Sequence, residues 1–414
     1  MEWMNRLPLA TLRTLTWLGI LLIVLVKNTG WPQKNSVYPL YAQASRELWA
    51  GVPPTSPTAI QHLPWFADLL APFAWLPDRI GATLWFATIL LVFVTGIQRF
   101  ARHALPPQLP HCQRLWFECL IPWIGLGSLL NNQTNTLIAG LFLWATVGMI
   151  ERRWWLTSIA IALTSFKLYP VGLGLVFAAR QPRELIPRML ICGLALVALP
   201  WLIHADEWVA QRHLGMWEYL RSGVHYQLYA YTSLREFGLR WFGGWPPLGY
   251  STLQIGSFVA ILVVARWCRL GIDSPKPVID LLTLTTIWMI TLGPSVEPHT
   301  FLIASVPIAW LSLRVMRERP GLTIPMVGML SIIGILQNEV LGRTIHHAIL
   351  ESKIAAVVNL LFGILAIVAM MRDGQSNREQ SQPRENSCQS ASMRSAAMAA
   401  PDSSWMRWPS SLAR

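Results

Sequence analysis

The sequence predicts an all-α, polytopic integral membrane protein, and three observations carry that prediction. Of 414 residues, 53% are hydrophobic and 13% are charged, whereas a soluble domain carries about 25% charged residues. The apolar residues fall in blocks, among them Trp17 to Val26, Ala82 to Val94, Leu137 to Ile150, Met189 to Ile203, Ile255 to Ala265 and Val357 to Met371. A run of about 20 apolar residues crosses the hydrocarbon core. Backbone that crosses it must be helical or a closed barrel, and blocks without strict alternation read as helices. Many of the 22 Trp lie at block edges, as Trp17, Trp31, Trp154, Trp155 and Trp201 do. An interfacial aromatic belt predicts that placement.

Along the chain, twelve membrane segments are expected at roughly 9–27, 80–98, 114–130, 134–150, 154–166, 168–180, 187–203, 250–266, 278–294, 300–314, 321–338 and 354–371. No small-residue cleavage site follows the first apolar run, so it reads as a retained helix. The net charge of +12 would suggest nucleic acid in a soluble protein. Here the basic residues cluster in short loops, as Arg99, Arg102, Arg152, Arg153, Arg180, Arg183, Arg314 and Arg317 do. That pattern points to topology and an anionic lipid bilayer, with no nucleic acid partner. The positive-inside rule then puts both termini in the cytoplasm, with the protein in the cell's inner membrane. Residues 1–371 form the multi-spanning domain, and 372–414, with little apolar patterning, form a disordered cytoplasmic tail. No cysteine falls in an expected outer loop, so no disulfide is expected.

Two long loops fall on the outer side, 28–79 and 204–249. The first contains an amphipathic stretch, Tyr38 to Trp49, suited to a helix in the interface plane. Glu47 reads as a residue of its polar side, beside Arg46. Then comes an apolar piece, Trp65 to Leu76, too short to span and interrupted by Asp68 and Pro72. It reads as a re-entrant or interfacial helix. Asp68 either faces a cavity as a candidate base, or pairs with Arg79 or caps the short helix. The loop at 204–249 is rich in Trp, Tyr, His and Arg. Segments 154–166 and 168–180 have basic flanks at both outer ends, so they go up and come back with Lys167 near the apex.

Three polar islands face the outer side: Asn131 to Asn135, Lys167 to Pro170, and Pro294 to His299. An ionisable residue at membrane depth is expensive and marks a functional site by default. The plain alternatives are that Lys167 snorkels to water and that the Asn/Gln cluster caps a turn.

Gln133-Thr134-Asn135-Thr136-Leu137, followed by Lys167-Leu168-Tyr169-Pro170, resembles the GQxNxL…KxxP pattern of glycosyltransferase family 87, of the GT-C superfamily. Asn132 stands where that pattern has Gly. Val37-Tyr38 with Ala44 to Gly51 is similar to the family's first-loop helix. Leu63 to Pro77 is similar to its next segment, and Gly293 to Thr300 falls where the family has Pro and polar residues before a late helix. The resemblance implies a GT-C-like bundle of about twelve membrane segments, including short re-entrant helices. It implies inverting transfer of a hexose, mannose above all, from a polyprenyl-phosphate carrier to a membrane lipid or glycan hydroxyl at the non-cytoplasmic face. Lys167 and an outer-loop Arg, Arg212 or Arg221, could meet the phosphate; Gln133, Asn135, Tyr38 and His299 are further candidate substrate contacts. The leaving group is already anionic and stable, so no cofactor or metal is required. GT-C enzymes place an acid just before the first-loop helix, where this chain has Asn35. The candidate bases are therefore Asp68, Glu297 and Glu47. A lipid-linked sugar transporter or flippase, or an inactive protein of the same fold, are the other readings of such a chain.

Overall fold

The structure is a computed structural model that describes residues 9–30, 36–53, 62–106, 109–222, 231–246, 248–267, 275–293, 296–334 and 342–381. Among these residues every regular element is a helix. Residues 1–366 make one compact unit, which holds all three polar islands. Residues 367–414 make a second, whose described part is the end of the last helix. Asn35, Pro294 and the expected tail beyond Ser381 lie outside the described residues.

Helix α1 (Leu9–Gly30) leads to α2 (Tyr38–Trp49), which matches the amphipathic stretch end to end. Pro39 in its first turn suits a helix start, where the missing N–H has no partner to lose. Helix α3 (Pro64–Ala74) likewise starts on a Pro and packs along α2, its Trp65, Phe66 and Leu70 buried. Helix α4 (Asp78–Ala104) places Asp78 in its first turn and Arg102 and His103 in its last, matching the helix dipole. Helices α5 (His111–Leu130) and α6 (Asn135–Ile150) follow across the first polar island. Helix α6 is apolar all round and buries every residue but Trp144 and Ile150, so it forms the middle of the bundle. Gly140 lets α4 close on it, because a Cβ there would lie 2.8 Å from the Phe93 Cα.

Helices α7 (Trp154–Thr164) and α8 (Val171–Arg180) have 11 and 10 residues, too few to cross a bilayer, and form the expected short hairpin. Helix α9 (Pro182–Ile203) is the opposite of α6: Leu190, Leu194 and Leu202 are 59%, 68% and 83% exposed. Such an apolar face suits lipid. The long outer loop expected at 204–249 contains two helices, α10 (Asp206–Ser222) and α11 (Leu234–Phe242). Neither has a long apolar run to announce it. Helices α12 (Gly249–Trp267) and α13 (Lys276–Leu292) come next. The expected 300–314 span begins as a 3₁₀ helix, Pro298–Ala304, and continues as α14 (Ser305–Glu318). After it come α15 (Thr323–Ile333), α16 (Arg343–Ser352) and α17 (Ile354–Ser381). Five of the described helical segments are long and apolar enough to cross a membrane: Asp78–Ala104, Pro182–Ile203, Gly249–Trp267, Pro298–Glu318 and Ile354–Arg372.

Candidate active site

The three polar islands meet. Asn135, at the start of α6 and almost fully buried, accepts hydrogen bonds at Oδ1 from Lys167 Nζ (3.0 Å) and from the Tyr169 hydroxyl (3.3 Å). Lys167 sits in the turn between α7 and α8, so a helix start and a hairpin apex fix one polar knot. The third island reaches the same place from the 3₁₀ helix, where His299 Nε2 lies 3.2 Å from Asn131 Nδ2. Glu297 lies near enough to Lys167 for the two charges to couple, and its charge also opposes ionisation of Tyr169 and Tyr41. Burial holds the Glu297 carboxyl above its usual range, and Lys167 draws it partly back. Burial lowers Lys167 to about 8, opposed by Glu297.

The turn between α5 and α6 depends on Asn132. Its φ of +54° is left-handed, a conformation that Gly adopts freely and that Asn tolerates better than most residues. That explains how Asn occupies a position at which a Gly is expected. Its side chain, fully buried, donates to Asn28 Oδ1 (3.0 Å) and Ser36 Oγ (2.9 Å), which ties the end of α1 to the approach of α2. Lys27 adds a bond from Nζ to the Leu130 carbonyl.

The first-loop helices close over this knot. The Tyr41 hydroxyl of α2 lies 3.4 Å from both Gln133 Oε1 and Thr134 Oγ1. The Leu63 N–H donates to the Phe166 carbonyl beside Lys167 (3.2 Å). Between α2, α3 and α10 lies a small cleft, lined by Tyr41, Ala44, Leu48, His62, Leu63, Pro64, Phe66, Ala67 and Arg212.

The remaining candidates divide. Asp68 pairs with neither Arg79 nor a helix end: its Oδ1 lies 2.6 Å from His204 Nε2, both side chains nearly sealed from solvent. Burial raises the Asp68 carboxyl and His204 partly offsets it. Glu47 is not on a polar face. It is buried, accepts from Gln43 Nε2 (3.0 Å) and lies 3.7 Å from Arg212 Nη2 of α10. Arg46 is the outward residue, held 2.6 Å from Asp78. Tyr38 is fully buried with its hydroxyl donating to the Phe73 carbonyl (2.8 Å), a tie between α2 and α3. Arg221 is exposed in the last turn of α10. The structure therefore gathers Gln133, Asn135, Lys167, Glu297 and His299, sets Arg212 and Glu47 at the adjoining cleft, and leaves Arg221 apart. Tyr41 and His204 were not among the expected site residues. Tyr41 reads in sequence as one apolar position of an amphipathic helix, and His204 as the residue after a span.

A search of curated proteins and of solved structures finds no significant match. The sequence model of glycosyltransferase family 87 matches residues 63–294, which takes in Asp68, the polar knot from Gln133 to Tyr169 and the Arg212 side of the cleft. This membrane protein therefore belongs to glycosyltransferase family 87.

Proposed function

We propose that the chain transfers a hexose, mannose first, from a polyprenyl-phosphate carrier to a hydroxyl of a lipid or glycan acceptor, with inversion, at the non-cytoplasmic face. The observation that supports this most is the Lys167 ammonium held on Asn135 with Tyr169, with the Glu297 carboxyl near enough to couple to it. The two charges suit opposite ends of one displacement. Glu297 accepts the proton of the acceptor hydroxyl as its oxygen bonds to the anomeric carbon. The bond from that carbon to the phosphate oxygen breaks on the opposite face. Lys167 then balances the charge that stays on the departing polyprenyl phosphate. Asn135 and Tyr169 hold the ammonium in position. Both carboxylates are engaged, Glu297 in capping the 3₁₀ helix and Asp68 with His204; Glu297 is preferred as the base because its charge couples to Lys167. The test is incubation of purified protein with labelled polyprenyl-phosphate hexoses and a membrane lipid extract. Labelled product is expected from the wild type. Glu297→Gln should lower turnover by about 10²–10⁴-fold, the usual range for a general base. Lys167→Met should weaken donor binding. Movement of intact donor across the membrane without transfer would favour a transporter instead.

A further inference from the structure

Away from the polar knot, arginines gather over an apolar surface at the end of the bundle where α7 and α9 begin. Gly174 of α8 lies between Ile161 of α7 and Met189 of α9, so that a Cβ there would meet both, at 2.5 and 2.6 Å. Each of those two residues stands seven positions after the first residue of its helix. Helices α7 and α9 therefore rise side by side in one direction from a shared level. At that level stand Arg152, Arg153 and Arg183, all exposed. Arg188 turns its head back toward them. Its Nη1 lies 2.9 Å from Glu184 Oε2, and its Cζ sits 5.7 Å from the ring centroid of Trp155, in the first turn of α7. A cation over the indole face is attracted by the ring, so this guanidinium is held at the junction of the two helices. Glu151 meets Arg153 at 3.2 Å and is shared with His103, and Glu184 meets Arg188. Each guanidinium has five N–H donors, so four arginines against two carboxylates leave both charge and donors over. Beyond the arginines the helices expose apolar side chains four residues apart, which share one helix face. Trp155 and Ile159 of α7 are 50% and 47% exposed, and Ile186 and Leu190 of α9 are 46% and 59% exposed.

We propose that this end of α7 and α9 seats one anionic phospholipid, its phosphate among Arg153, Arg183 and Arg188 and its acyl chains along the two exposed rows. Basic pockets between membrane helices bind such headgroups. A free anion would account for the arginines and leave the apolar rows unused. A zwitterionic lipid would use the rows and leave the surplus charge unanswered. The seat is separate from the knot. Lys167 follows α7, whose 11 residues rise about 16 Å at 1.5 Å per residue, so the headgroup and Lys167 belong to opposite ends of the short hairpin. A lipid held there braces the base of that hairpin, whose two helices are too short to cross the bilayer. Such a seat needs no transferase activity.

The test uses the full chain in detergent and native mass spectrometry, with dioleoyl phosphatidylglycerol, dioleoyl phosphatidylcholine and glycerol phosphate as probes. One phosphatidylglycerol should be retained per chain, in clear preference to phosphatidylcholine, and glycerol phosphate at equal concentration should not displace it. Arg183→Gln, at an exposed position where folding is not at stake, should cut that preference about fivefold, the usual worth of one basic residue at an anionic surface. Adding Arg188→Gln should abolish it. Trp155→Ala changes no charge and should also lower retention, because the ring that holds Arg188 is gone. Arg317→Gln with Arg319→Gln removes two exposed arginines at the end of α14 and should leave the preference intact. Equal retention of the two lipids overturns the proposal, as does displacement by glycerol phosphate. So does a preference that survives Arg183→Gln with Arg188→Gln, or one lost equally at Arg317 and Arg319, which would make it an effect of overall charge.

Discussion

At Asn132, one side chain carries both a backbone constraint and a junction between two helices. Its left-handed φ of +54° costs an ordinary L-residue about 1–2 kcal/mol. Its two side-chain bonds, to Asn28 and Ser36, are worth about 1 kcal/mol each. Asn132→Ala loses all of this and should destabilise by about 2–4 kcal/mol. Asn132→Gly keeps the turn and loses only the bonds, so it should cost less than Ala; detergent-solubilised thermal or denaturant unfolding gives the order, and an Ala variant as stable as Gly refutes the strain argument. The same scale sets the pH dependence of transfer. In its proposed role as base Glu297 must be ionised, and burial holds its pKa above the usual carboxylate range. Activity should therefore fall as pH drops through that raised value. In its proposed role at the donor phosphate Lys167 must be charged, and burial lowers it to about 8, so activity should also fall as pH rises through about 8. Lys167→Met should abolish the alkaline limb and move the acid limb to higher pH, because the cation that draws Glu297 down is gone. An acid limb in the kcat/KM profile that stays in place would separate Glu297 from Lys167.

Between elements, long-range polar contacts hold the first-loop helices over the knot. Asp68 of α3 meets His204, just past the end of α9, at 2.6 Å, and Glu47 of α2 meets Arg212 of α10 at 3.7 Å. A buried pair of this kind shows its worth only in a double-mutant cycle, because each single change strands the other group. Asp68→Ala with His204→Ala should give a coupling of about 1–3 kcal/mol in unfolding, against near zero for Asp68→Ala with Arg79→Ala; the reverse order would restore the pairing read from sequence. These contacts mark what the sequence could and could not disclose. The amphipathic pattern of α2 is local, so its ends at Tyr38 and Trp49 are legible. So are the polar islands, since an Asn/Gln run or a Lys between apolar blocks stands out by contrast. The partners of Asp68 and Glu47 lie far along the chain, and nothing local in a single sequence selects His204 over Arg79. Helices α10 and α11 are short and mixed in polarity, so their formation depends on docking against the bundle and not on any run that can be read. The cleft inherits that blindness, because one of its walls comes from α10.

For the whole molecule, the decisive geometry is the direction of α9. Its 22 residues make a rod of about 33 Å at 1.5 Å per residue, enough to cross a core of about 30 Å. Its exposed leucines run along its length, so its two ends belong at opposite faces. Arg183 lies at the first end, next to Arg180 of the hairpin, and His204 follows the other. His204 holds Asp68, and α10, which begins at Asp206, carries Arg212 beside Glu47. The cleft therefore belongs to the face opposite Arg183. The basic residues that flank α7, α8 and the start of α9 predict, by the positive-inside rule, that the Arg183 face is cytoplasmic. On that prediction the knot and cleft would open to the other side, the face on which transfer is proposed. Single cysteines at two exposed positions, Glu218→Cys on α10 and Arg183→Cys on α9, in a background without the native cysteines, test this in intact cells. A membrane-impermeant maleimide should label position 218 directly and position 183 only after lysis. The reverse pattern would turn the whole molecule over, and with it the side of the membrane on which transfer is proposed.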